Sequence, residues 1–419
     1  MNHNGDFKAR LGEAGHPGLL SQTDRLKRLK LGQNPYVTGP ALPGNSPVFF
    51  GRTQILHEIL STLRHSDKPG CVSLLGERRI GKSSLLNQVY AALGQEAGLV
   101  CIYATTQNWE TATRQRFFSQ LHAAIAEATG ADAAGTVEDY PGFREFIGTL
   151  VGGRGLRFVL LLDEFDVMAG NPEFDEQFFY QLRALGDLPE YRFGYLTASR
   201  RPLKALCDSH GIAASKFWNI FDRRRLGLLS DSEAEALAAE PFKQTLPPER
   251  CPDLPLFWRE KVRPWTGPHP LMIQIVASAH WNALDGDYQP NLRETRAKLR
   301  EHLESFWSSC EEAERRYLAQ GQRPGGDPRI KEELQERGLL GEDGKPFSDY
   351  FNKLTLEFAK ANNGLDKRLA GVHQKLSLID KIANLWEKLW KSLEKIGQPV
   401  GKCLRVYSGK SSQDEEPEE

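Results

Sequence analysis

The 419-residue sequence has almost no net charge, few cysteines and no long apolar run. Because its formal net charge is −1, no overall field draws the chain to nucleic acid or to a membrane, although a local basic face is compatible with this balance. The six cysteines are widely spaced and none forms a C-x-x-C pair, which disfavours a disulfide framework or a zinc site. No stretch has the roughly 18 consecutive apolar residues of a membrane span, and the N-terminus lacks the apolar segment of a signal peptide. These absences predict a cytoplasmic protein with reduced thiols.

The strongest functional pattern lies in residues 72–86, VSLLGERRIGKSSLL. An apolar run ends at Gly76, and Gly81-Lys82-Ser83 opens a segment whose apolar residues have helical spacing. A strand, a loop and a helix with G-x-x-x-x-G-K-[ST] spacing indicate a P-loop, whose backbone N–H groups surround phosphate oxygens. Its lysine reaches the β- and γ-phosphates, and its serine hydroxyl coordinates Mg²⁺. We therefore predict that the chain binds a nucleotide together with Mg²⁺. The predicted phosphate-binding residues are Gly76, Glu77, Arg78, Arg79, Ile80, Gly81, Lys82, Ser83 and Ser84.

A second pattern is the apolar run RFVLLL at 157–162, which leads directly into Asp163 and Glu164. Fully apolar strands are typical of parallel sheets that are covered on both faces. Carboxylates that follow such a strand lie at the carboxyl edge of the sheet, where open α/β folds bind ligands. Asp163 is therefore the predicted Mg²⁺ ligand together with Ser83. Glu164 is the predicted catalytic residue that orients or deprotonates the attacking water.

A further strand is predicted at 193–197, and Arg200 follows its end. Two interpretations have equal weight. Thr197 and Arg200 sense the γ-phosphate, with Arg200 acting beside Lys82 as a catalytic residue, or Thr197 packs in the core and Arg200 is a surface arginine.

From residue 231 onward the pattern is mainly helical. His269, within the helix start WTGPHP, is expected to be a cap or a packed residue. Two short strands are expected around an Asp-Gly turn at 338–347, and together with two preceding helices they suggest a winged helix. Helices are predicted at 233–239, 271–284, 303–318 and 329–337.

A long amphipathic helix is predicted at 365–396, with apolar residues that recur every seven positions and a coiled-coil seam from Ile379 onward. Three roles are open for this helix. Docking on the protein's own core comes first, a helix for a protein partner or for self-association second, and an interfacial membrane helix third, because Glu387 and Glu394 disfavour it.

The predicted fold class is α/β, with a parallel P-loop NTPase sheet as its core. The predicted segments are a flexible N-terminus (1–33), a P-loop core (34–230), a helical segment (231–300), a winged-helix-like domain (301–360), a long amphipathic or coiled-coil helix (361–400) and an acidic tail (401–419).

Five segments occur in a characteristic order: NPYVTGP with FFGR, GERRIGKSSLL, LLLDEFD, LTASR and TGPHPLMIQ. This order resembles STAND-type P-loop ATPases (signal-transducing ATPases with numerous domains), within them the bacterial AAA-like branch related to origin-recognition-complex and archaeal ATPases. The resemblance implies that residues 34–230 are a P-loop ATPase core with an ASCE-type sheet, that residues 231–300 form a helical lid and that residues 301–360 form a winged helix. It also implies a phosphate-sensing role for Arg200 and a place near the adenine for Asn34, Tyr36, Val37, Arg52 and Pro270.

Three functions are compatible with these patterns. The leading hypothesis is an ATP-binding switch with slow ATPase activity, which controls partner binding or oligomerisation in signalling, such as bacterial stress or phage defence. The alternative is an origin-recognition-like or transposition-associated ATPase that binds DNA through its winged helix, with Arg223, Arg224 and Arg225 as a basic run. The third is a nucleotide binder that no longer hydrolyses.

Overall fold

A computed structural model describes residues 6–16, 18–132, 137–320 and 327–361. The chain divides into two compact units, Met1–Leu356 and Glu357–Glu419. Residues 357–361 are the described part of the second unit, and they are helical. The predicted helix at 365–396 and the acidic tail lie outside the described residues.

The first unit contains one six-stranded sheet. Its order is β1-β3-β4-β5-β2-β6, in which β1 runs antiparallel to β3 and the other neighbours are parallel. The P-loop strand β2 is thus separated from the carboxylate strand β4 by β5, and the predicted parallel core is confirmed. The strands are β1 (Phe7–Leu11), β2 (Cys71–Leu75), β3 (Leu99–Thr105), β4 (Arg157–Asp163), β5 (Phe193–Ser199) and β6 (Asp222–Arg225).

Helices cover both faces of this sheet, which explains why its central strands are apolar throughout. Helices α2 and α3 pack on one face, and α4, α6 and α7 pack on the other, where an aromatic core includes Phe117 and Phe158. The helices are α1 (Gln22–Leu26), α2 (Thr53–Leu63), α3 (Lys82–Leu93), α4 (Arg114–Thr129), α5 (Tyr140–Arg154), α6 (Phe165–Gly170), α7 (Glu176–Asp187), α8 (Leu203–Ser209), α9 (Asp231–Thr245), α10 (Leu254–Phe257), α11 (Arg263–Thr266), α12 (Pro270–Asp285), α13 (Leu292–Ser309), α14 (Glu312–Gln320) and α15 (Pro328–Glu336).

The prediction of a flexible N-terminus is wrong for Phe7–Leu11, which form β1. This strand pairs with β3, and Phe7 is buried with its ring centroid 5.2 Å from that of Trp109. A five-residue segment that contains Lys8 and Arg10 has a weak strand pattern of its own. The edge of β3 and the aromatic pocket beside it, both distant in sequence, stabilise it.

The predicted helix at 303–318 is interrupted, because α13 ends at Ser309 and α14 begins at Glu312. The Glu314 carboxylate accepts a 2.7 Å hydrogen bond from the Glu311 backbone N–H at this new helix start. At 338–347 the described residues show one isolated antiparallel bridge, Leu340–Pro346, in place of two strands. Proline has no N–H to extend such a ladder. The lid and winged-helix assignments stay predictions.

Candidate functional site

A cavity of about 950 Å³ opens where the P-loop meets the ends of β4 and β5. Most of the predicted site residues line it, although they come from distant parts of the sequence. Asn34, Tyr36, Gly76 and Glu77 are the exceptions. The predicted residues that line the cavity are Val37, Arg52, Arg78, Arg79, Ile80, Gly81, Lys82, Ser83, Ser84, Asp163, Glu164, Arg200 and Pro270.

The P-loop conformation depends on its glycines. Gly81 has φ 107°, and it precedes α3 directly. At Gly76 a Cβ atom would lie 2.8 Å from the carbonyl oxygen of Leu226, so a side chain has no room there. The loop therefore holds its backbone in a tight curve at the N-terminus of α3, which is a favourable place for an anion.

Lys82 lies inside this curve. Its Nζ donates hydrogen bonds to the carbonyl oxygens of Gly76 (2.8 Å) and Glu77 (3.0 Å). Burial lowers the pKa of the Lys82 ammonium, and the acidic groups of Glu77, Asp166 and Asp163 act in the opposite direction. The ammonium is thus held at the loop by groups that a phosphate oxygen can replace as acceptors.

Asp163 and Glu164 form a constrained turn at the end of β4. Asp163 is only 4% exposed; its Oδ1 accepts a 3.0 Å hydrogen bond from the Glu164 N–H, and its Oδ2 accepts one of 2.9 Å from the Tyr103 hydroxyl. Glu164 has a left-handed backbone (φ 57°), and Thr106 Oγ1 donates to its carbonyl oxygen at 2.6 Å. Burial, followed by the Asp163 charge, raises the pKa of the Glu164 carboxyl, while Lys82 and Arg78 oppose this. Left-handed non-glycine residues that are held in this way cluster at functional sites.

The cavity offers oxygen donors that fit Mg²⁺. Ser83 and Asp163 both line it, and Mg²⁺ is usually held in such sites by one or two protein oxygens together with phosphate oxygens and water. In the described part of the chain, no cluster of three or more His, Cys, Asp or Glu side chains forms a complete metal site. Ser83 and Asp163 are the cavity residues that could hold Mg²⁺, with phosphate oxygens and water as its further ligands.

Of the two interpretations for the end of β5, the structure places Thr197 fully in the core and Arg200 at the cavity. The Arg200 N–H donates a 2.9 Å hydrogen bond to Asp166 Oδ2, which fixes its backbone beside α6. Thr197 is therefore packed in the core, as the second interpretation states, while Arg200 is exposed and lies at the cavity, which is compatible with either interpretation. The phosphate-sensing role of Arg200 stays a prediction.

Val37 and Arg52 of the irregular segment 34–52 line the cavity, but not every predicted residue of this segment does so. Asn34 and Tyr36 do not line the cavity; they bind helices, with the Asn34 amide donating to Ser278 Oγ (2.9 Å) and the Tyr36 hydroxyl to the Ala238 carbonyl (2.8 Å). They anchor the loop on α12 and α9. Arg52 does line the cavity, although its guanidinium donates to the carbonyls of Gly227 and Leu228.

Glu77, predicted to contact phosphate, turns its side chain away from the cavity to Arg337, which follows α15. Two Arg337 nitrogens donate to Glu77 Oε2 at 2.7 and 2.9 Å, and a third donates to Glu314 Oε1 at 2.6 Å. The side chains of Glu77, Glu314 and Arg337 are 6%, 7% and 19% exposed. Burial alone lowers the pKa of Arg337, but the carboxylates outweigh it and the net shift is upward. The P-loop is thus tied to a distant segment by a buried charge network.

His269 occupies the N-cap position of α12, but its side chain makes no capping hydrogen bond and is packed in the interior. It is 2% exposed, and its ring centroid lies 5.5 Å from those of Phe306 and Phe347. Neither ring nitrogen has a hydrogen-bond partner in the described structure. Burial, with the positive charges of His302 and Arg52, lowers the pKa of His269 to about 3.

The lowered pKa of His269 predicts that the folded protein loses stability in acid. The unfolded chain binds a proton at His269 below pH about 6.5, whereas the folded chain does not until the pH nears 3. The folding stability that is present above pH 6.5 is therefore lost progressively as the pH decreases from about 6.5 toward 3. Between pH 6 and 4.5 the unfolding free energy of the wild type should fall up to about 1.4 kcal/mol per pH unit more steeply than that of His269→Leu. Urea titrations across this range measure both slopes. His57→Gln, at an exposed histidine on α2, should keep the wild-type slope; a wild-type slope in His269→Leu would contradict the prediction.

The basic run Arg223–Arg225 is largely neutralised on β6. Arg224 pairs with Glu58 (3.0 Å) and Asp222 (2.8 Å), and Arg225 pairs with Glu336. DNA binding favours an open basic stripe. This run therefore adds no support to the DNA-binding alternative.

None of the helices in the described part of the chain has the length and apolar content that crossing a membrane requires.

Comparisons with known proteins agree with this geometry. The family model of Novel STAND NTPase 2 matches residues 66–315, more than half of the chain. The Walker-type ATPase PABY2304 of Pyrococcus abyssi is similar in structure, with a TM-score of 0.52, 15% identity, and coverage of 75% of this chain and 98% of that one. The ORC2 protein of Aeropyrum pernix, in its ADPNP-ADP complexes, has a TM-score of 0.50, 12% identity, and coverage of 81% and 98%. At these identities the two structures share the fold, and no curated protein matches the chain. The P-loop, the carboxylate strand and the family match together show that this chain belongs to the Novel STAND NTPase 2 family of P-loop NTPases.

Proposed function

We propose that the chain is a Mg²⁺-dependent ATPase that acts as a molecular switch, with the bound nucleotide controlling residues 301–356, here named the C-terminal module. The observation that carries the proposal is the buried ion pair between Glu77, inside the P-loop, and Arg337, in the C-terminal module. A loop that contacts phosphate is thereby bonded to a segment 260 positions further along the chain.

The cavity residues divide the hydrolytic work. Lys82 and the loop N–H groups would bind the phosphates, while Ser83 and Asp163 would hold Mg²⁺, which would supply positive charge to the phosphates. Glu164 orients the attacking water and accepts its proton. Arg200 offers positive charge to the γ-phosphate from the end of β5.

Switching follows from two of the contacts that Glu77 makes. Its carbonyl oxygen accepts a hydrogen bond from Lys82, and its carboxylate binds Arg337. When Lys82 turns to a phosphate, the loop loses an internal hydrogen bond and relaxes, so the position of Glu77 depends on the nucleotide. A state that ATP and ADP stabilise differently is the requirement for such a switch.

We further propose that the switch acts on a protein partner or on a second copy of the chain. The predicted helix at 365–396 is the segment suited to this contact by its apolar seam. Signalling is the pathway class that this mechanism serves.

The nucleotide-binding part of the proposal is tested with Lys82→Met, which keeps the length of the side chain and removes its charge. Charge-assisted hydrogen bonds contribute about 1.5–3 kcal/mol, so ATP affinity should fall by roughly 10–100-fold in equilibrium titrations with Mg²⁺. Lys204→Ala, which removes an ammonium 5.5 Å from the Trp218 ring centroid, is the control and should bind as the wild type does. Wild-type affinity in Lys82→Met, or no ATP binding by the wild type, would overturn the proposal.

A further inference from the structure

Tyr103 lies between the predicted Mg²⁺ ligand and the N-terminal strand. Its hydroxyl donates a 2.9 Å hydrogen bond to Asp163 Oδ2. Its ring is edge-on to that of Tyr90 on α3, with 6.2 Å between centroids, and Lys8 Nζ on β1 lies 4.4 Å from its centroid. Three separate elements therefore meet at one tyrosine that contacts the cavity.

The register of the sheet explains this contact. In the parallel pair β3 and β4, Tyr103 is opposite Leu161 and Thr105 is opposite Asp163. Alternate residues of a strand share a face, so Tyr103 and Asp163 both lie on the face that α3 covers. A tyrosine is long enough to reach a carboxylate two residues further along the neighbouring strand.

The hydroxyl restrains a carboxylate that solvent barely reaches. Asp163 Oδ1 is already bonded to the Glu164 N–H, and Tyr103 restrains the other oxygen. Each carboxylate oxygen still has a lone pair for a cation or for a water bound to it. Because Asp163 is 4% exposed, bulk water has little access to replace a missing donor.

We propose that Tyr103 is a positioning residue for Mg²⁺: its hydroxyl holds the Asp163 carboxylate in the orientation that binds the Mg²⁺–nucleotide complex. The inference rests on the proposed function, since it assigns Asp163 to the cation. Hydrogen bonds to metal-binding carboxylates typically change metal affinity by about 10–100-fold when they are lost. Lys8 holds the ring by a cation–π contact, which makes β1 part of the support of the nucleotide site.

The test compares Tyr103→Phe with the wild type in equilibrium titrations of a fluorescent ATP analogue, in EDTA and in Mg²⁺. In Tyr103→Phe the gain in affinity that Mg²⁺ gives should be about tenfold smaller, while affinity in EDTA stays unchanged. A titration of Mg²⁺ at saturating analogue should shift by the same factor. The control is Tyr195→Phe on β5, which also loses one hydroxyl hydrogen bond, 2.8 Å to the Leu182 carbonyl, at a buried position away from Asp163.

Each outcome decides the inference. A full Mg²⁺ gain in Tyr103→Phe overturns it while the proposed function stands. If Tyr103→Phe loses affinity for the analogue equally in EDTA and in Mg²⁺, the role of Tyr103 is merely structural and the inference is overturned. It is also overturned if Mg²⁺ gives a reduced gain in affinity in Tyr195→Phe. If the wild type binds the analogue but Mg²⁺ adds no affinity, the Mg²⁺ assignment of the proposed function fails, and this inference fails with it.

Discussion

Replacing Glu164 with glutamine is expected to slow ATP hydrolysis by roughly 10²–10⁴-fold, the usual contribution of a positioned general base. Nucleotide affinity should stay close to that of the wild type, because glutamine has the same shape and the phosphate contacts belong to the P-loop. The backbone of the turn should also persist, since the Thr106 hydroxyl and the Asp163 carboxylate hold the main chain of residue 164 and not its side chain.

Phosphate release at saturating ATP and Mg²⁺, together with equilibrium titration of an ATP analogue, measures the two effects separately. The matched control is Glu127→Gln on the exposed side of α4, which should hydrolyse ATP at the wild-type rate. Turnover by Glu164→Gln at the wild-type rate would remove Glu164 from the mechanism. If Glu164→Gln loses nucleotide binding as well as turnover, Glu164 would instead be assigned to nucleotide affinity.

Replacing Arg337 with methionine should release the C-terminal module from the P-loop. The change keeps most of the apolar stem but leaves the carboxylates of Glu77 and Glu314 buried without their cation. Removing one partner of a buried ion pair typically costs about 3–5 kcal/mol. Part of this cost is avoided if the module moves away and the carboxylates reach water, so amide hydrogen exchange across α14 and α15 should accelerate, by up to roughly 100-fold.

Hydrogen exchange followed by mass spectrometry measures this opening in the presence of ADP and of ATP with Mg²⁺. Arg316→Met is the matched control: it breaks the exposed Arg316–Glu312 pair on α14, which should change stability by less than about 1 kcal/mol. In the double variant Glu77→Gln/Arg337→Met the two effects should be smaller than their sum, because they break the same pair. Unchanged hydrogen exchange in Arg337→Met would show that the Glu77–Arg337 pair does not hold the C-terminal module, and the proposed switch would lose the observation on which it rests.

Local patterns were enough to predict which edge of the sheet carries the cavity. The P-loop, the carboxylates after β4 and the arginine after β5 each follow an apolar strand in the sequence. Since parallel strands end at one edge of a sheet, residues that directly follow them meet there whatever the rest of the chain does. For this reason Lys82, Asp163 and Arg200 were found without knowledge of the strand order, and all three line the cavity.

Contacts between distant segments could not be predicted in this way. The resemblance implied that Asn34 and Tyr36 lie near the base, whereas in the structure they anchor their loop to α12 and α9. Glu77 occupies a P-loop position, yet its side chain binds a residue of the C-terminal module. A motif fixes the backbone of such a position, while the direction of its side chain depends on what packs against it.

The sequence by itself therefore determined the fold class and the types of residue at the site: a parallel α/β sheet with a phosphate loop, a predicted Mg²⁺ carboxylate and a predicted base. Tertiary structure alone decided how these elements and side chains are positioned, through the pairing of β1 with β3, the Tyr103–Asp163 hydrogen bond and the Glu77–Arg337 ion pair. The physical reason is the separation along the chain over which each kind of interaction acts. Strand, loop and helix propensities act within about ten residues, whereas these three contacts join residues that are 60 to 260 positions apart or depend on the register of a completed sheet.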